Sequence, residues 1–312
     1  MRKPLLFAAL CLALAAAAFA AVPNPLLGGD PFILPHQGKY YLYATNHDLG
    51  IQVYESTDLK EWRLCDNGRG GFALHRDDTG AKKWFWAPEV YPNGDGFVMY
   101  FTREEHISCA RAKSPAGPFV EVNRKPMYDA PDFRIDNTLF VDDDGRAYLF
   151  FSRFKKGSPA GMEIWGAELE KDRVTLREAT LFRCFGADAP WERICGRVSE
   201  GPFMLKHDGK YVLTYSANGY TSHDYAVGYA VADSPKGPFR KATENPILRR
   251  PAGFVGSGHH SFFRDHAGAL RIVFHVHYSA KQIHPRRVLI GTARFEGGRL
   301  LIGADFIEPV VK

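Results

Sequence analysis

GKYYLYAT, from Gly38 to Thr45, is a turn glycine followed by an aromatic-rich β run, and the chain repeats this unit four more times. The other copies are GFVMYFT (Gly96–Thr102), GRAYLFFS (Gly145–Ser152), GKYVLTYS (Gly209–Ser216) and GALRIVFHV (Gly268–Val276). A second β run follows each: Ile51–Ser56, His106–Ser114, Met162–Leu169, Tyr225–Ser234 and Arg287–Phe295. Two of these close with near-identical turns, SPAGPF (Ser114–Phe119) and SPKGPF (Ser234–Phe239). The glycines recur at roughly 50 to 65 residues, the spacing of a propeller blade rather than of a helical solenoid. The pattern predicts an all-β chain: a five-bladed β-propeller with four-stranded blades around a central channel.

Upstream of four of the glycines, by eight or nine residues, stand Asp30, Asp136, Glu200 and His259, where the preceding strand begins. Their contexts, DPFIL, DNTLF, EGPFML and HHSFF, each set one polar position before apolar ones. The second copy reads WAPEVYP, with Glu89 near the corresponding place. The first strand of every propeller blade lines the axis, so equivalent positions converge at one end of the channel. An ionised carboxylate opening an apolar strand is costly unless it is paired, hydrated or used. Acidic residues also cap turns through bonds to backbone N–H groups. Three in register argue for a shared pocket over three separate caps.

Length and composition leave room for one large core: 312 residues, of which 45% are hydrophobic, can form a single propeller without a second domain. Residues 1–20 read as a signal peptide, with Arg2 and Lys3, an apolar stretch Leu5–Ala18, and Ala18-Phe19-Ala20 as the cleavage site. Residues 21–312 are then the propeller, secreted or periplasmic, and the leader is too short and alanine-rich for a membrane anchor. Losing Arg2 and Lys3 lowers the formal charge from +5 to +3, and the remaining charges are scattered. No long basic stripe offers itself to nucleic acid, while the mildly basic balance is compatible with acidic polysaccharide. Export permits disulfides, and Cys184 with Cys195 would close a short loop around Pro190-Trp191. Cys109 lies in an apolar run and reads as a buried free thiol, and no CxxC pair suggests a thiolate zinc site.

In order along the chain stand Asp30-Pro31-Phe32, the Ser56–Trp62 turn (STDLKEW), Trp86-Ala87-Pro88-Glu89, and Ile135-Asp136-Asn137 with Asp142–Gly145. Ser199-Glu200-Gly201-Pro202 and Gly258-His259-His260-Ser261 follow. Each is short, but six in this order make the chain resemble the family-43 glycoside hydrolases, exported five-bladed propellers that cleave glycosidic bonds with inversion. The resemblance covers about Asp30 to Phe295. It implies Asp30 as general base, Glu200 as general acid, and Asp136 as the carboxylate that orients and tunes the acid. Inversion needs an acid for the leaving oxygen and a base for water on the opposite face, roughly 6.5–9.5 Å apart. Glu200 must therefore keep its proton near neutral pH, which burial and a neighbouring charge favour, while Asp30 must stay ionised.

The resemblance also places His259 where relatives hold a hydrated cation, often calcium. The other reading is a neutral channel histidine, since calcium prefers oxygen ligands. It further implies a sugar-contacting arginine at Arg286 or Arg287, with Arg287 the expected one. His275 and His277 share a strand face, and with His259 or His260 would make a zinc site. Trp86 is the expected pocket wall, because a sugar's C–H face stacks on an aromatic ring, with Phe85 in the core. Glu89 is expected either to bond the substrate or to anchor its strand. Trp62 is expected between blades, and Tyr220–Asp224 (YTSHD) at the pocket rim. The segment Arg153–Gly161 is basic where endo-arabinanases are glycine-rich, which favours an exo-acting α-L-arabinofuranosidase or related furanosidase. Rival readings are a non-catalytic sugar-binding propeller, which has no need of three acids together, and a retaining fructan-type hydrolase of a related five-bladed family.

Overall fold

In the computed structural model, residues 24–312 are described, so the expected signal peptide lies outside the described residues. β1 (Gly29–His36), β2 (Lys39–Thr45), β3 (Gly50–Ser56) and β4 (Glu61–Leu64) pair in chain order as an antiparallel meander, with β5 (Phe72–His75) added to β3. β6 (Trp86–Asn93), β7 (Gly96–Arg103), β8 (His106–Ala112) and β9 (Val120–Glu121) repeat the meander. So do β10 (Phe133–Val141), β11 (Ala147–Phe154), β12 (Glu163–Glu168) and β13 (Phe182–Gly186). The fourth blade is β14 (Ser199–His207), β15 (Lys210–Ala217), β16 (Ala226–Ala232) and β17 (Arg240–Lys241). The fifth is β18 (Gly258–Arg264), β19 (Leu270–Val276), β20 (Arg287–Glu296) and β21 (Arg299–Ile307).

The first strands neighbour one another around an axis: β1 beside β6 and β18, β10 beside β6 and β14, and β14 beside β18. The fold is the expected five-bladed β-propeller. A short last strand, β22 (Val310–Val311), lies parallel on β4 and ties the C-terminal end to the first blade. The N-terminal segment completes the closure, with Leu26 N–H donating to Pro309 O at 2.8 Å and Val288 N–H to Leu26 O at 3.1 Å.

Second strands are buried on both faces, because each blade is sandwiched between its neighbours; this explains aromatic runs in place of strict alternation. Trp62 packs with Phe263, Val273 and Val288, wedging the first blade against the last as expected. Cys109 is a buried free thiol. Cys184 and Cys195 are also free, so the disulfide that export would permit is not formed here. The loop between them is closed by the buried carboxylate of Glu192, which accepts from the N–H groups of Asp188 and Ala189 at 2.8 Å and from Lys241 Nζ at 2.6 Å.

Candidate active site

Every first strand loses register near its start, between Gly29 and Phe32, Trp86 and Glu89, Ile135 and Thr138, Glu200 and Phe203, and Gly258 and Ser261. Inside each bulge one residue takes a left-handed φ: Asp30 (53°), Ala87 (47°), Asp136 (57°), Gly201 (53°) and His259 (44°). Such a bulge twists the strand and re-aims a side chain, at a cost of about 1 kcal/mol or more for a residue with a Cβ. Support comes from the preceding blade. Ala87 N–H donates to Thr45 Oγ1 at 3.0 Å, Asp136 N–H to Thr102 Oγ1 at 3.1 Å, and His259 N–H to Ser216 Oγ at 2.8 Å. Asp30 N–H donates to His275 Nδ1 at 3.1 Å, which closes the circle. At the remaining junction Asp136 itself takes the place, Gly201 N–H and Ser152 Oγ–H both donating to its Oδ2 at 3.3 Å.

These bulges bring Asp30, Asp136, Glu200 and His259 to one cavity of about 720 Å³, walled also by Trp84, Trp86 and Arg286. The volume falls within the range for small-ligand sites. Burial alone would raise Asp30's pKa. Arg286, with Nη1 at 2.7 Å from Oδ1, outweighs that only together with His259, His275 and the Thr45 hydroxyl, which donates at 2.6 Å. The carboxyl is held well below the usual range and stays ionised. His259 Nδ1 stands 3.2 Å from Asp30 Oδ1, and burial lowers its pKa despite the neighbouring charge. His275 is held neutral by burial and by Arg286.

Glu200 stands in the opposite field. Burial pushes its pKa up to about 7, with Asp30's charge adding to the rise and Tyr225 and Arg286 opposing it. The Tyr225 hydroxyl is buried with no hydrogen bond of standard geometry, so it is a donor aimed at the acid rather than a firm partner. Burial and repulsion from Glu200 raise Asp136 as well. Two buried carboxylates cannot both ionise cheaply, and they share a proton. Gly201 N–H and Ser152 Oγ–H donate to Asp136 and oppose its rise, as Tyr225 and Arg286 do for Glu200, so one proton is held between the two acids.

Trp86 lines the cavity as expected, with Trp84 stacked on it at 5.6 Å and 22° between planes, while Phe85 is buried in the core. Tyr220 is at the rim and faces Arg286, 5.0 Å from its ring centre. Glu89 is not among the lining residues: Ala87 holds its blade's bulge, and Glu89, two residues on, is buried and bonded by the Tyr91 hydroxyl. Burial pushes its pKa up to about 8, so it anchors its strand as a largely neutral acid. Arg287 also turns away, its Nε donating to Glu308 at 2.7 Å, and its neighbour Arg286 is the arginine of the site. Arg286 was one of the two arginines the resemblance offered, whereas Tyr225 appeared in the sequence only as the start of a β run.

Metal ligation fares less well. Among the described residues no three His, Cys, Asp or Glu side chains gather as a metal site. His275 faces Asp30 and Arg286, whereas His277 donates from Nε2 to Tyr220 O at 2.8 Å, so the zinc arrangement does not form. Among the described residues the one carboxylate within ion-pair distance of His259 is Asp30, itself paired with Arg286. Calcium collects six to eight oxygens, and this donor set does not fit direct ligation.

A sequence model described as "Glycosyl hydrolases family 43" matches residues 22–296. "Beta-D-galactofuranosidase xynD" of Aspergillus niger is 29% identical over 289 residues, covering 85% of this chain and 79% of that protein. "Arabinoxylan arabinofuranohydrolase" of Paenibacillus polymyxa is 27% identical, covering 77% of this chain but 44% of that protein, so the chain spans less than half of that relative. Among solved structures, an "Endo-1,4-beta-xylanase" of Bacteroides thetaiotaomicron is 38% identical with a TM-score of 0.87, covering 93% of this chain and 99% of that one.

Proposed function

The chain belongs to glycosyl hydrolases family 43, whose members invert the anomeric centre, and from that premise we propose an exo-acting furanosidase that removes α-L-arabinofuranosyl or related residues from plant-type polysaccharide. One observation carries the reading: three acids from separate blades meet in one sugar-sized cavity, Asp30 held ionised by Arg286 and the buried pair Glu200 and Asp136 both pushed towards holding a proton. Glu200 donates its proton to the leaving oxygen as the glycosidic bond breaks. Asp30 takes a proton from water as that water attacks the anomeric carbon from the other face. Asp136 orients Glu200 and keeps its proton in place, and Trp86 offers its ring to the sugar's C–H face. The furanosyl preference is supported by relatives named beta-D-galactofuranosidase and extracellular exo-alpha-(1->5)-L-arabinofuranosidase.

The test is a panel of aryl α-L-arabinofuranoside, β-D-galactofuranoside and β-xyloside beside arabinan, galactan and xylan, with the product anomer read by NMR. Preferred turnover of a furanoside with inverted product is expected. Preference for xyloside and xylan would favour a xylan-acting enzyme, in line with the Bacteroides thetaiotaomicron structure's name. A product of retained configuration would overturn the roles of Asp30 and Glu200. The donors around His259 match a cation only through water, so no step is assigned to calcium and chelation is expected to leave the rate unchanged. Export is part of the same proposal, on the pattern Arg2-Lys3, apolar stretch and Ala18-Phe19-Ala20. Among the described residues no helix is long and apolar enough to cross a membrane.

A further inference from the structure

A loop of the fourth blade meets the arginine that pairs with Asp30. Between β15 and β16, Tyr220 lines the cavity at 38% exposure, its ring centre 5.0 Å from the Arg286 guanidinium carbon. The start of this loop is fixed by the buried side chain of Asn218. Its Nδ2 donates to Trp191 O at 2.6 Å and Asp224 O at 3.0 Å, and its Oδ1 accepts from the N–H groups of Ile194 at 2.8 Å and Cys195 at 3.2 Å. Tyr220 itself is held from the fifth blade. His277, one residue past β19 and 1% exposed, donates from Nε2 to Tyr220 O at 2.8 Å.

A carbonyl only accepts, so Nε2 of His277 carries a proton, and Nδ1 has no partner among the described residues. Burial opposes a second proton on the ring. The imidazole fills a slot left by Gly256, at φ 66°, where a Cβ would stand 2.1 Å from it. The contact at the other end of the chain is electrostatic. Arg286 donates from Nη1 to Asp30 Oδ1 at 2.7 Å and from Nη2 to Oδ2 at 3.3 Å. An aromatic face attracts a guanidinium and keeps water from it, and an ion pair gains strength where water is excluded. The Tyr220 ring is the half-exposed part of this arrangement, and His277 is its buried anchor.

We propose that His277 is a positioning residue for Asp30: it holds the Tyr220 carbonyl, which seats the Tyr220 ring on Arg286 and keeps the guanidinium paired with the base. The inference rests on Asp30 as base, not on the furanosyl preference, so it is read on whichever glycoside of the panel wild type turns over fastest. The role of Asp30 is judged separately, by the anomer of the wild-type product. His277→Leu and Tyr220→Leu should each lower kcat about tenfold with KM little changed, the mark of an interaction that serves the transition state. The double variant should be no slower than Tyr220→Leu alone, because His277 acts only through that ring. Tyr220→Phe keeps the ring, and His277→Gln keeps an amide donor, so both should retain most of the rate. Losses that multiply in the double variant overturn the proposal, as does a raised KM with kcat intact, which would assign Tyr220 to holding substrate. His277→Gln as slow as His277→Leu, at an unchanged melting temperature, overturns it too. Imidazole NMR of the wild-type chain decides the anchor even if His277→Leu does not fold: a slowly exchanging proton on Nε2 of His277 supports it, and a proton on Nδ1 instead overturns it.

Discussion

Arg286 reaches Asp30 at 2.7 Å and acts on Glu200 only from a distance, so one cation sets the contrast between the two carboxylates. Asp30 stays ionised throughout the working range, and the alkaline limit falls to Glu200, whose pKa is about 7. We expect kcat/KM to fall as pH rises through about 7. Asp136→Asn removes a neighbouring charge and should move that limb to lower pH; a pH–rate profile that stays put assigns it to another group. The same shift has a cost in stability. Glu200's pKa rises from 4.5 in the unfolded chain to about 7, so the folded state holds this proton more tightly. The stabilisation it brings is full below the unfolded pKa and lost as pH rises through about 7, a loss approaching about 3 kcal/mol. Glu200→Gln should therefore melt higher than wild type at pH 8, with a smaller gain at pH 5. It should also lose hydrolysis of unactivated glycosides while retaining part of the rate on substrates with good leaving groups. Equal loss on both classes counts against Glu200 as the acid.

At the level of the strand, the bulge and its anchor in the preceding blade work as one device. Thr102→Val leaves the Asp136 amide unpaired, for an expected destabilisation of about 1–3 kcal/mol, read by denaturant unfolding. Gly29→Ala tests the other flank, because a Cβ there would stand 1.8 Å from the Arg286 guanidinium carbon. Displacing Arg286 should depress activity on every substrate, and an active Gly29→Ala enzyme would show that Asp30 does not depend on that contact. Much of this device is written in the chain: the turn glycines, the aromatic runs and the polar strand starts all gave their elements and their convergence. The residues closing the repeats, Thr45, Thr102, Ser152 and Ser216, were equally visible, but only three-dimensional pairing reveals what they accept. Glu89 shows the pull of residue type over position: it stands seven residues before Gly96, whereas Ala87 stands nine before it, the offset of the other strand starts, and Ala87 holds the bulge. Arg286 and Arg287 show a second limit. Adjacent residues at a strand end point to opposite sides, and a period of two does not say which side faces the cavity.

Across the whole molecule, closure depends on both chain ends, with β22 on β4 and the segment before β1 bonded to Pro309 and Val288. Deleting residues 310–312 should lower the melting temperature and the activity together; activity preserved with a lowered melting point would mean the site tolerates a loosened seam. The circle of amide contacts carries the point further. Asp30, in the first blade, is braced by His275 of the fifth, while its chemical counterparts sit in the third and fourth. A chain still being synthesised, or one part-way through refolding, can own every blade but the last and yet lack the brace on Asp30, the base of the proposed mechanism. Hydrolysis should therefore reappear after the bulk of the β signal, making turnover a sensor of the final docking event.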